Sequence, residues 1–130
     1  MTAQIFLIAS PDADAAACTR MLDEALAAAP VAALLLPRGS RGESSYKALV
    51  KAVTPRAQAA GVAVLIEGDP GLVRMLGVDG LHVEGGVGEV KAATAALKPD
   101  FIVGAGSIAS RHDAMSKGEL GPDYIFFGPL

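Results

Sequence analysis

The sequence predicts an α/β protein built on a parallel sheet, and three observations point there. Short apolar strands recur through the second half, at residues 62–66, 81–83, 101–103 and 124–127, with helical segments between them. Strands joined by helices run parallel, because each helix carries the chain back across the sheet. Glycines stand at or just past the C-terminal ends of these strands, at Gly68, Gly85, Gly86, Gly104, Gly106 and Gly128, where proteins of this class build their sites. The composition agrees: 52% of the 130 residues are hydrophobic and only 5% aromatic, which suits one Ala/Val/Leu-rich domain spanning the chain.

The elements follow in order. Residues 4–9 form the first strand, and Ser10, Pro11 and Asp12 supply a turn and cap for a helix reaching about Ala29. Cys18, Met21, Leu22, Ala25 and Leu26 give that helix one apolar face. Pro30 stops it. The uninterrupted apolar run at residues 31–36 reads as a strand covered on both faces. After a polar loop at residues 37–44, Tyr46, Leu49, Val50 and Val53 mark a second helix, which Pro55 is expected to break or re-cap. The strand at 62–66 leads through Glu67, Gly68, Asp69 and Pro70 into a short helix ending near Gly77. Leu81, His82 and Val83 are the next strand, and Val87, Val90, Thr94 and Leu97 the stripe of the helix after it. The strand at 101–103 gives way to a glycine loop and a helix opening near Ser107 or Ser110, before the last strand at 124–127.

Six strands and five crossovers are compatible with an open doubly wound sheet or a (β/α)8 barrel. A complete barrel takes roughly 200 residues or more. On the barrel reading this chain therefore holds about six βα units, an incomplete barrel. An unfinished sheet leaves edges that invite pairing with another chain, so a homo-oligomer is expected.

Charge and composition exclude several functions. Eleven Lys and Arg against 14 Asp and Glu give a net charge of -3 without a basic stripe, so nucleic acid is not an expected partner. One cysteine rules out an internal disulfide and a cysteine metal site, and Cys18 reads as a buried structural thiol. The apolar run at residues 5–9 falls far below the ~20 residues that span a bilayer, and no basic segment precedes it. A cytoplasmic protein without membrane contact is expected.

The best anion-binding candidate is Arg38, Gly39, Ser40, Arg41 and Gly42, where two guanidiniums suit phosphate and glycine lets backbone N–H groups approach. Lys47 stands a turn further on. Gly104 to Ala109 reads G-x-G-x-x-A, but Asp123 precedes the following strand instead of ending it, against a dinucleotide site. Gly104, Gly106 and the helix start near Ser107 suit a single phosphate better. His82, between Leu81 and Val83, reads as a packed structural histidine, and Ser110 to Asp113 around His112 has capping-box spacing.

Gly61 to Ile66, followed by Gly77, Val78, Asp79, Gly80, Leu81, His82 and Val83, resembles the G-A-D-G-V-H-L region of the thiamine phosphate synthase family. Ile102, Val103 and Gly104, then Gly121 through Pro129, are similar to its G-A-D-Y-V-G-F-G-P region, so the resemblance covers essentially the whole chain. It implies a (β/α)8 barrel that joins a pyrimidine diphosphate to a thiazole phosphate with Mg²⁺, through a pyrimidine-methyl cation, and releases pyrophosphate.

The family's site residues are altered. Its Gln-x-Arg-x-Lys signature falls around residues 35–40, where Arg38 and nearby Arg41 are basic. Its Asn-Asp pair falls on Glu67 and Gly68, with Asp69 one place late; its second magnesium aspartate falls on Val87, with Glu84 the nearest carboxylate. Its serine after strand five falls on Gly106, beside Ser107, and the histidine of the related thiazole tautomerases falls near Ile108. The resemblance therefore implies Arg38, Arg41, Gly104, Gly106 and Ser107 for a phosphorylated small molecule and Glu67, Asp69 and Glu84 for Mg²⁺. Solvated charges and helix caps are the competing account of the acids. An inactive paralogue binding a phosphorylated metabolite or a protein partner is the alternative function.

Overall fold

The computed structural model describes residues 5–98, 100–108 and 124–127. Ile5–Ile8 forms β1, Ala15–Ala28 α1, Val31–Leu36 β2, Glu43–Ala59 α2 and Ala63–Ile66 β3. Gly71–Leu76 forms α3, Gly80–Val83 β4, Val87–Leu97 α4, Ile102–Ile108 β5 and Tyr124–Phe127 β6. All six strands are parallel and neighbour one another in chain order, β1 through β6. A doubly wound sheet reverses its order at a switch point; a sheet that only advances is the wall of a barrel. The molecule is an incomplete barrel of the (β/α)8 type.

Alternation along each strand divides the side chains between two faces. Leu34, Leu36, Val64, Ile66, Leu81, Val83 and Val103 meet Cys18, Leu22, Leu49, Val50, Val53, Val90 and Leu97 from the helices in the main core. Fully burying each such aliphatic chain is worth about 1.5–3 kcal/mol. Ala33, Leu35 and Leu65, with Phe6, Ala63 and Ile102, pack on the opposite, inner face. Gly80 shares that inner wall, and a Cβ there would stand 2.6 Å from Ile102 Cβ and 2.8 Å from Leu65 Cδ2.

At the N-terminal edge, the Asp79 carboxylate accepts from Val64 N at 2.8 Å and from Gln58 Nε2 at 3.2 Å. The peptide of Asp79 continues the lattice, donating to Val64 O and accepting from Ile102 N. One aspartate thus ties β3, α2 and β5 together below the site.

Three sequence expectations are corrected. Helix α1 is capped by Asp14, whose Oδ1 accepts from Ala17 N at 2.8 Å, while Ser10 and Asp12 lie in the preceding turn. Helix α2 runs straight through Pro55. Its flanking residues Val53, Thr54 and Ala57 are buried while Pro55 faces solvent, so packing on both sides outweighs the lost backbone bond. Gly104, Gly106 and Ser107 belong to β5, not to a loop and helix start: Gly104 pairs with His82 on β4 and with Tyr124 on β6. The helix expected near Ser110, with His112, and the glycine at Gly128 lie outside the described residues.

Candidate functional site

The site is built at the C-terminal ends of the strands, and a tyrosine on α2 organises it. Tyr46 sits on the apolar stripe of its helix and is 1% exposed. A tyrosine so buried requires a partner for its hydroxyl. Tyr46 Oη donates to Leu36 O at the end of β2 and accepts from Glu67 N just past β3, the latter at 2.9 Å. Burial drives its pKa far above the ordinary tyrosine value, with the Glu67 amide bond opposing, so the hydroxyl stays protonated.

Glu67, placed by that bond, turns its Oε1 to accept from Arg38 N at 3.0 Å. The β2–α2 and β3–α3 loops are thereby joined over a cavity of about 310 Å³ lined by Ile8, Ala9, Pro11, Pro37, Gly39, Glu67 and Glu84. Ile8, 39% exposed, offers it apolar surface. Glu67 and Glu84 also line a second cavity of about 450 Å³ that extends past Pro70 toward Ala92 and Ala93 of α4. The two carboxylates form the partition between these spaces.

His82 lies beneath them on the inner face, 1% exposed, with Nε2 3.5 Å from Glu84 Oε1. Burial holds it below the usual histidine value, while the charges of Glu84 and Glu67 pull it back up. Beside it, a Cβ on Gly106 would fall within 3.0 Å of the Glu84 carboxylate and 2.7 Å from His82 Nε2. The bare backbone of β5 is what admits Glu84 to this position.

The arginines are unequal. Arg41 spends its guanidinium on backbone carbonyls, donating to Pro37 O at 2.8 Å, Arg38 O at 3.3 Å and Ala13 O. It fastens the β2–α2 loop to the β1–α1 loop, which touches it again where Gly39, at φ 60, lies against Pro11. Arg38 donates from Nε to Arg41 O at 3.2 Å, within its own loop. Asp69 is drawn off as well: its Oδ1 accepts from Gly71 N at 2.8 Å and its carbonyl from Leu72 N, capping α3.

The structure thus brings together Glu67, Glu84 and Gly106 with His82, and joins Arg38 to them through its amide. It does not gather Glu67, Asp69 and Glu84 into a metal cage, since no group of three His, Cys, Asp or Glu has that arrangement among the described residues. Gly104 lies in β5 beside His82, and the side chain of Ser107 lies outside the described residues. Sequence reading missed the bridging role of Tyr46. The available signal was a tyrosine on an otherwise aliphatic helix stripe.

Comparison with known proteins gives this rim a family. The thiamine monophosphate synthase profile matches residues 5–130. A thiamine-phosphate synthase of Hyphomonas neptunium is 43% identical, over 96% of this chain and 59% of that protein. One from Rhodospirillum centenum is 34% identical, over 96% of this chain and 60% of that protein. The chain spans about three-fifths of the length of these curated relatives.

Among solved structures, a thiamine phosphate pyrophosphorylase from Pyrococcus furiosus superposes with a TM-score of 0.76 at 14% identity, covering 98% of this chain and 60% of that one. A deoxyribose phosphate aldolase from Aeropyrum pernix does so at 0.70 and 20%, covering 88% and 58%. Identities this low show the fold alone. The sequence matches carry the assignment, and they extend over the loops that build the rim: this chain belongs to the thiamine monophosphate synthase family.

Proposed function

We propose that this chain carries the diphosphate-handling part of a thiamine phosphate synthase, joining a pyrimidine diphosphate to a thiazole phosphate with release of pyrophosphate. The observation that carries the reading is the pair of carboxylates, Glu67 and Glu84, on one cavity at the C-terminal rim, with the loop that carries Arg38 and Arg41 tied to Glu67 through the Arg38 amide. The family names of the relatives support it.

In this reading Arg38 binds the diphosphate, its guanidinium being a planar, permanently charged donor. Arg41 acts through the loop it fastens. The apolar lining from Ile8, Ala9 and Pro11 excludes water from the bond that breaks, the one between the pyrimidine methylene and the diphosphate oxygen. The thiazole nitrogen then forms the new carbon–nitrogen bond. His82, held neutral by burial, supports the floor without adding charge.

Magnesium is the metal the family reading implies. It takes one or two carboxylates, completing its shell with water and phosphate oxygens, and does not need an all-protein cage. Glu67 and Glu84 fit that demand: both are hard oxygen donors on one cavity, and the cradle at Gly106 that holds Glu84 is one a Cβ would fill. Asp69 does not fit, being committed to α3. When bound, the ion would neutralise charge on the leaving pyrophosphate.

No described helix is long and apolar enough to cross a membrane, and a cytoplasmic, homo-oligomeric protein is part of the same proposal. Incubating the purified protein with both substrates and Mg²⁺ should yield thiamine phosphate above the protein-free background. Absence of product, with the fold intact by circular dichroism, would overturn the activity assigned to this chain.

A further inference from the structure

We propose that Gly106 is a positioning residue for Glu84, its missing side chain setting where the carboxylate just past β4 points. The proposal rests on the reading of Glu84 as a site carboxylate. β4 and β5 pair His82 with Gly104 and Val83 with Ala105. One step further along, Glu84 and Gly106 fall side by side on the inner face at the rim.

A glycine can be required by backbone conformation or by space. Conformation is not the reason here, because the glycines with positive φ are Gly39, Gly61, Gly68 and Gly77. Space is the reason. The volume a side chain at 106 would fill is taken by the Glu84 carboxylate from the neighbouring strand and by His82 Nε2. Among nearby glycines the obstacles differ: a Cβ on Gly85 would meet the Glu89 carboxylate, whereas Gly86, at the cap of α4, and Gly88, within it, would bring a Cβ within 4 Å of nothing.

The two obstacles differ in how they yield. Glu84 Oε2 ends a flexible chain and can turn outward, whereas His82 is fixed in the packed interior. A methyl group at 106 therefore displaces the carboxylate from its place beside Glu67. The side chain at 106 acts on the ligand through the carboxylate, so it decides whether this side of the mouth presents negative charge.

The test is Mn²⁺ binding, followed by electron paramagnetic resonance of the free ion, in the intact chain. Gly106→Ala is expected to weaken Mn²⁺ about tenfold, within the range for residues that orient a ligand. It should match Glu84→Gln, and the double variant should be no weaker than Glu84→Gln alone. Gly106→Ala with Glu84→Asp should recover part of the loss, because the shorter chain retreats from the methyl. Gly88→Ala should bind as the parent does.

Unchanged affinity in Gly106→Ala, or losses that multiply in the double variant, would overturn the proposal. A parent protein that binds no Mn²⁺ would instead refute the metal reading above. The positioning claim then stands or falls on a nuclear Overhauser contact between the Gly106 α-protons and the Glu84 γ-protons of the parent, whose absence would overturn it.

Discussion

Replacing Tyr46 with phenylalanine keeps the ring in its pocket and deletes one oxygen that serves two backbone groups. Leu36 O loses a donor and Glu67 N loses an acceptor, and both lie at the ends of strands that carry the site. Removing one partner of a buried hydrogen bond costs about 1–3 kcal/mol, so the pair predicts a loss of about 2–6 kcal/mol. For a domain of 130 residues that corresponds to a fall in Tm of roughly 7–22 °C. Urea unfolding followed by circular dichroism measures it, and an unchanged m-value would show that the native state alone had been altered. The same variant frees the backbone of Glu67, so Mg²⁺-dependent binding of pyrophosphate should weaken with it. A loss below about 0.5 kcal/mol, the scale of an ordinary surface change, would refute the claim that this hydroxyl joins β2 to the β3–α3 loop.

The other predictions divide structural from functional groups. Arg41→Ala should cost about 1–3 kcal/mol by breaking charged bonds to three carbonyls, as read by urea unfolding. Arg38→Ala should leave stability nearly unchanged and weaken pyrophosphate binding, read by calorimetry. Pro55→Ala restores a backbone donor on the exposed side of α2 and should stabilise the protein by about 1–3 kcal/mol. Thr54→Val removes a hydroxyl that is 5% exposed and has no hydrogen-bond partner among the described residues, and should raise stability by about 1 kcal/mol.

His82 has a depressed folded-state pKa, so below the unfolded value near 6.5 the unfolded chain binds the proton that the folded chain refuses. Its contribution is complete above that pH and is lost as pH falls toward the folded pKa. Stability measured from pH 7.5 downward should decline through this window, and His82→Gln should flatten the decline.

The sequence was legible wherever local pattern and tertiary demand agreed. The apolar run of β2 and the stripe of α4 coincide with the observed elements, Val31–Leu36 and Val87–Leu97. The end of β5 was misread because Gly104 and Gly106 signal a loop by propensity, whereas both lie within the strand, and at Gly106 the space of a side chain is taken by Glu84 and His82. Pro55 was misread because nothing local reveals that both flanks of the proline are buried. Of the candidate site, sequence position alone sets Arg38 after β2, Glu67 after β3 and Glu84 after β4. The tether made by Arg41, named from sequence only as a phosphate candidate, was not legible: one of its carbonyl partners belongs to Ala13, 28 residues away, and no spacing rule connects them.

Glu67, Glu84 and Arg38 are proposed to form one diphosphate site. Isothermal calorimetry of pyrophosphate against the parent chain, with and without Mg²⁺, tests it most directly. Binding should require Mg²⁺ and be lost in Glu67→Gln and in Glu84→Gln. Binding that is absent under both conditions, or that is unaffected by Mg²⁺ and by both substitutions, would contradict it.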